Sequence, residues 1–375
     1  MQKPILSERP YMVPNPFTPT FGRIPLLMTG RDAIIEEMEQ AFDIGSGDPN
    51  LSTIYTGARG TGKTALLLYL SRIASAHGWI AVNVTAIPGM LEDILEQTKQ
   101  GAAQFLEASD NPRLRSLTIG QFLGLEWDNP TQERGNWRTQ MGKIIASLND
   151  QEIGLLITVD EVNPKLDEMV HLATTYQHFV GEERQVGLLL AGLPGNVNSL
   201  LRNESVSFLR RANQHKLVRI SDEDIAEGIR TTIEEGGRSI SLEALSSAAK
   251  ASEGFPYLMQ LVGYQSWARN PDSETVSEED VHWGIARARA SFSERVLDAT
   301  YYDLSDGDIR FLRAMLADTR ESRLSDIASR MGEASNYTST YKRRLIEQGV
   351  IGERGSSYVS FELPGFREYL EDRFK

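Results

Sequence analysis

The residues with the most definite chemistry are Gly57-Ala58-Arg59-Gly60-Thr61-Gly62-Lys63-Thr64, which fit G-x-x-x-x-G-K-[ST] in full. Phosphate binding needs this spacing. Glycines let consecutive backbone N–H groups turn inward and approach phosphate oxygens. A helix opening at Lys63 aims its positive end at the same charge. Lys63 is expected to reach the β- and γ-phosphates, and the Thr64 hydroxyl to ligate Mg2+. ATP and Mg2+ are therefore the expected ligands. A second element supports the first: Leu155–Val159 is an apolar run that ends in Asp160-Glu161. Asp160 would hold the Mg2+ water shell, and Glu161 would polarise the attacking water. Such a strand end is common by itself, but downstream of a complete phosphate loop the two together point to nucleotide hydrolysis.

These groups need a frame, and the apolar periodicity supplies one. Leu51–Thr56 reads as a buried strand leading straight into the glycine-rich loop, and Lys63–Ala76 as the helix that follows. Strands are expected at Trp79–Thr85, Ile153–Val159 and Val186–Ala191, with a short one at Lys216–Ile220. Helices are expected at Arg31–Phe42, Gly89–Leu106, Gly135–Leu148 and Pro164–Val180. All-apolar strands alternating with helices mean a parallel sheet covered on both faces. Arg113–Trp127 breaks the rhythm, and its alternation suggests an inserted hairpin. After Arg219 the strands are expected to stop. Ser221–Glu235, Leu242–Ser252, Tyr257–Ala268 and Ser277–Leu297 read as helices, two of them with N-cap arrangements, Ser221/Asp224 and Ser277/Asp280.

Composition narrows the classes. The 375 residues suggest two or three domains. With no cysteine, disulfides, zinc ribbons and thiol nucleophiles are excluded. His171 and His178 have no third ligand nearby and read as a solvated helix face. No apolar run reaches the ~18 residues of a membrane span, and the start lacks a signal-peptide core. The expectation is a soluble, cytoplasmic protein with no membrane partner. The net charge of −13 argues against a generally basic nucleic-acid binder. From residue 304 onward, however, acidic and basic residues balance, so the whole excess of acid lies in residues 1–303.

The phosphate loop, the Asp160-Glu161 strand end and the helical region behind them resemble the AAA+ ATPases. Within these the chain is similar to the origin-recognition and initiator branch and to related bacterial ATPases with a C-terminal winged helix. The resemblance runs from about Phe17 to the end. It implies a Pro-rich arm over 1–29, an AAA+ core over 30–219, a helical lid over 220–300 and a winged helix-turn-helix over 304–375. Phe17-Thr18-Pro19-Thr20-Phe21-Gly22 and Gly30-Arg31-Asp32 look like the segment before such cores, with Arg31 beside the adenine. Asn83 is implied as the residue that gates Glu161. Arg211, ahead of Arg210, is implied as an arginine finger serving a neighbouring copy, and hence as a route to self-association. Two sensor positions depart from the family. Ala191-Gly192-Leu193-Pro194 offers no polar group, with Asn196 the nearest, and Gly254-Phe255-Pro256 is followed by Tyr257 instead of Arg. Slow hydrolysis with intact nucleotide binding is the expectation.

In the last region, Asp306–Leu316, Leu324–Met331 and Ser335–Gln348 read as helices, the first with Ile309, Leu312 and Leu316 inward. Ile351–Phe361 reads as a wing turning at Gly355–Ser357. The third helix would enter the major groove of duplex DNA. Its outward face is expected to include Asn336, Tyr337, Ser339, Thr340, Lys342, Arg343 and Arg344, with Arg354 on the wing. A winged helix also serves as a protein contact, and the balanced charge favours that use. The cluster Lys342-Arg343-Arg344 favours DNA. The leading expectation is an ATPase whose nucleotide state controls DNA binding or assembly. The alternatives are a signalling or defence switch ATPase with a protein-binding winged helix, and a remodelling ATPase, for which no pore-loop aromatics are visible.

Overall fold

A computed structural model describes residues 14–20, 22–108, 136–355 and 357–375. The expected hairpin Arg113–Trp127 lies outside the described residues.

Five strands form one parallel sheet: β1 (Ser52–Thr56), β2 (Trp79–Thr85), β3 (Gly154–Asp160), β4 (Val186–Gly192) and β5 (Asn213–Lys216), in the order β2-β3-β4-β1-β5. β3 and β4 are apolar except at Thr158 and the terminal Asp160, because both faces of the sheet are covered. Leu155, Ile157 and Val159 face α3 (Met90–Ala108), α4 (Trp137–Asn149) and α5 (Asp167–Gly181). Leu156 and Leu189 face α1 (Asp32–Ile44) and α2 (Lys63–Ala76). The last strand differs from expectation. It pairs over Asn213–Lys216, whose alternating burial marks a sheet edge, while Leu217–Ile220 runs on toward the next helices. A short helix α6 (Pro194–Arg202) follows β4.

Four further helices, α7 (Asp222–Glu235), α8 (Leu242–Ala251), α9 (Pro256–Arg269) and α10 (Glu278–Phe292), pack beside the sheet. Ser221, Ser241 and Ser277 cap three of them, and Ser277 with Asp280 closes a full capping box. Strands do not stop after Arg219: β6 (Ser239–Ile240) and β7 (Thr275–Val276) form a two-residue parallel pair, too short for periodicity to reveal. Phe17 from the arm is 1% exposed and inserts among these helices. The Gly263 position takes the ring, since a Cβ there would stand 2.3 Å from Phe17.

The expected helix Ser277–Leu297 is α-helical only to Phe292. Ser293–Leu297 is π-helical, and α11 (Asp298–Tyr302) continues it. The rest is α12 (Asp306–Met315), β8 (Ser322–Arg323), α13 (Leu324–Met331), α14 (Ser335–Glu347), β9 (Ile351–Arg354), β10 (Tyr358–Phe361) and α15 (Phe366–Arg373). The three strands form an antiparallel sheet in the order β8-β10-β9. On α12 the fully buried stripe is Phe311, Leu312 and Met315, with Ile309 and Leu316 only half-buried. The final helix α15, absent from the sequence expectation, begins at Gly365, whose left-handed φ of 65° turns the chain into it. One continuous apolar cluster joins α7–α10 to these C-terminal elements.

Candidate nucleotide site

The glycine-rich loop leaves the C-terminal end of β1 and enters α2. Its glycines are required by geometry. Gly60 and Gly62 have φ of 81° and 88°, where a side chain is strained. A Cβ on Gly57 would stand 2.5 Å from Thr61 Oγ1 and 3.0 Å from the Leu217 carbonyl. Within this turn Lys63 Nζ donates to the carbonyls of Gly57 (3.0 Å) and Ala58 (2.9 Å). Burial pulls the Lys63 ammonium below its ordinary value, and the carboxylates of Glu161 and Asp160 oppose that shift. A cation so held is a fixed charge facing the loop.

The two carboxylates meet this loop from β3. Thr64 Oγ1 donates to Asp160 Oδ2 at 2.5 Å. Asp160 is the last residue of β3, registered beside Thr85 of β2. Glu161 follows with φ 54°, a left-handed backbone for a residue with a side chain, and its N–H donates to Asp160 Oδ1 at 2.9 Å. Val162 N–H then returns to the Ala191 carbonyl of β4. This turn leaves Glu161 exposed at the strand end. Such strain costs on the order of 1–3 kcal/mol and clusters at functional sites. The paired hydroxyl and carboxylate are hard oxygen donors of the kind Mg2+ takes.

Arg31, expected beside the adenine, and Tyr257, which stands where the family has a lid arginine, both lie against the loop. Arg31 is 8% exposed, and its guanidinium donates to the carbonyls of Thr61 (3.5 Å) and Val218 (3.1 Å), tying the segment before α1 to the loop and to the chain beyond β5. Burial lowers its proton affinity from the ordinary value. Tyr257 N–H donates to the Gly60 carbonyl (3.3 Å), and Pro256 and Phe255 stand next to Gly62 and Gly60. Val218, whose carbonyl takes the Arg31 guanidinium, has an exposed apolar side chain that sequence reading did not single out.

Asn83, implied as the residue that gates Glu161, is held between α2 and β3. Its side-chain oxygen accepts from Ser71 of α2 (2.6 Å) and Thr158 of β3 (2.8 Å) and ties helix to sheet. Asn196 falls in the first turn of α6, at the same sheet edge as the loop. Arg210 donates to the Leu201 carbonyl at 2.7 Å. Arg211 is exposed just before β5, at the opposite end of the sheet from the loop, so it cannot serve the site of its own chain.

The structure brings the face expected for DNA together only in part. Asn336, Tyr337, Ser339, Thr340 and Arg343 are exposed on α14. Arg343 has no acidic partner among the described residues. The other three cations are engaged internally: Lys342 with Glu353 (2.6 Å), Arg344 with the fully buried Asp308 (3.0 Å) and Arg354 with Glu362 (3.0 Å). Adjacent position in sequence concealed this, because 342, 343 and 344 point in different directions around a helix. Among the described residues no cluster of three or more metal-binding side chains occurs, and no helix is long and apolar enough to cross a membrane. His171 packs edge-on to Trp137 at 5.9 Å.

A five-stranded parallel sheet in this order, with a phosphate loop after β1 and carboxylates after β3, defines an α/β P-loop fold of the AAA+ type. The solved structures agree. The Walker-type ATPase PABY2304 of Pyrococcus abyssi superposes with a TM-score of 0.64 at 13% identity, over 92% of this chain and 96% of that one. The ORC2 protein of Aeropyrum pernix in its ADP form gives 0.54 at 14%, over 94% and 96%. These likenesses show the fold. Residues 294–370 match a family model described as a domain of unknown function (DUF8462). No curated protein matches the sequence.

Proposed function

We propose that this chain is an ATP-binding switch of the AAA+ type with slow hydrolysis, whose C-terminal winged helix-turn-helix carries the output. The observation that carries the reading is the convergence of Lys63, Thr64, Asp160 and Glu161 on one loop at the C-terminal edge of the sheet. In this reading the loop N–H groups and Lys63 bind the phosphates, and Arg31, Val218 and Tyr257 border the nucleoside. Thr64 and Asp160 hold Mg2+, which supplies charge neutralisation of the phosphates when bound. Glu161, held outward by its turn, orients and polarises the attacking water. Tyr257 in place of a lid arginine, and Arg211 far from its own site, leave one chain without an arginine to add to Lys63 for the developing charge, so turnover is slow.

The organisation behind this is an arm over 1–29, a core over 30–219, a lid over 220–300 and the winged helix over 304–375. The partner proposed for the winged helix is duplex DNA, met by Asn336, Tyr337, Ser339 and Arg343. The protein-contact reading, a signalling-type switch, gains from one observation: Lys342, Arg344 and Arg354 are neutralised inside the chain. Duplex binding by the full chain, measured against salt with and without ATP, separates the two. DNA binding predicts an affinity that falls steeply with salt. No shift at low salt in either nucleotide state assigns the winged helix to protein.

A further inference from the structure

The phosphate loop is gripped from outside the sheet. Ala58, its second residue, packs in the apolar cluster shared by α7–α10 and the C-terminal elements. Its neighbour there is Gly349, just past α14. The Gly349 and Val350 N–H groups donate back to the Ile346 and Leu345 carbonyls and close the helix, with Gly349 at φ 71°. A Cβ on Gly349 would stand 2.9 Å from Ala58 Cα, so helix end and loop backbone touch with no side chain between them. Glu347 meets α6 in the same way: a Cβ on Gly195 would stand 2.6 Å from Glu347 Cβ. The C-terminal end of α14 therefore sits between the segments that follow β1 and β4, the sheet edge that takes phosphates. On the other side, Arg59 of the loop pairs with Asp303, between α11 and α12, at 2.9 Å.

Charge sets the direction of the coupling. The end of α14 carries the negative pole of its helix, Asp303 adds a carboxylate beside a loop whose ligand is an anion, and Glu347 adds one beside α6, where Arg202 stands 4.0 Å away and offsets part of its charge. A terminal phosphate added there meets like charge from α14 and competes with Asp303 for Arg59. We infer that the Glu347–Gly349 helix end and Asp303 form a latch on the phosphate loop that a nucleoside triphosphate opens and a diphosphate leaves closed. The inference rests on nucleotide binding at Gly57–Thr64 and adds how that site is coupled to the C-terminal segment.

The test is amide hydrogen exchange of the full chain over residues 345–352, with ADP and with a non-hydrolysable ATP analogue, beside calorimetry of both. Binding of the analogue is expected to speed exchange at Gly349 and Val350 at least about tenfold, with ADP leaving it unchanged. If calorimetry shows both nucleotides bound and exchange stays the same or slows, the latch is wrong while the nucleotide site stands. If neither binds, the site assignment fails and takes the latch with it. Asp303→Asn supplies an independent arm. It is expected to tighten the analogue about two- to fivefold, the span of an exposed pair, with a smaller change for ADP. An equal change for both nucleotides, or none, overturns the competition for Arg59.

Discussion

Thr64 donates its hydroxyl to Asp160 across 2.5 Å, joining the first turn of α2 to the end of β3. That bond places a residue of the phosphate loop and a residue 96 positions later at one edge of the sheet. It is also the donor pair on which a divalent cation would sit.

Replacing Glu161 by Gln is expected to leave ATP affinity unchanged and to lower turnover by about 10²–10⁴, the span of a removed general base. The amide keeps the shape of the side chain and loses its charge. Steady-state phosphate release beside calorimetry gives both quantities, and unchanged turnover would remove Glu161 from its role.

Arg343 and Arg344 separate a surface role from a structural one. Arg343→Ala is expected to leave the melting temperature unchanged and to lower the salt slope of duplex binding by about one unit. Arg344→Ala is expected to cost about 1–3 kcal/mol of stability, because Asp308 is fully buried and loses a charged partner. Asp308 retains Ser305 N–H and hydroxyl, which limits the loss. Thermal melts distinguish the two variants before any DNA is added.

Alkaline stability has a defined sign. Burial pushes the Tyr176 hydroxyl from an ordinary 10 up to about 12. Between those values the folded chain keeps a proton that the unfolded chain has released, so stability falls as pH rises from 10 to 12. Tyr176→Phe is expected to flatten that part of the curve, as denaturant midpoints across this range would show.

The core of the site was legible because its chemistry is local. Eight consecutive residues determine the phosphate loop, and an apolar run ending in Asp160-Glu161 announces its partner strand. Sheet and helices followed from burial on both faces. What escaped reading depends on tertiary neighbours. Nothing local in Lys342, Arg344 and Arg354 foretells their partners Glu353, Asp308 and Glu362. Asn83 occupies a strand position that suits a gate, and nothing local shows that its side-chain oxygen accepts from Ser71 and Thr158. The π-helical turn at Ser293–Leu297 and the two-residue strands carry no periodic signal at all. Gly349 reads as an ordinary helix stop, and only the fold shows that its missing Cβ admits Ala58.

The most direct test of the account is calorimetric titration of the full chain with ATP and Mg2+, beside Lys63→Ala. The account predicts one bound nucleotide per chain and a loss of affinity of about two orders of magnitude in the variant, since Lys63 is the fixed cation of the loop and charged hydrogen bonds contribute about 1.5–3 kcal/mol each. Equal ATP affinity in parent and variant, or no binding by the folded parent, would contradict it.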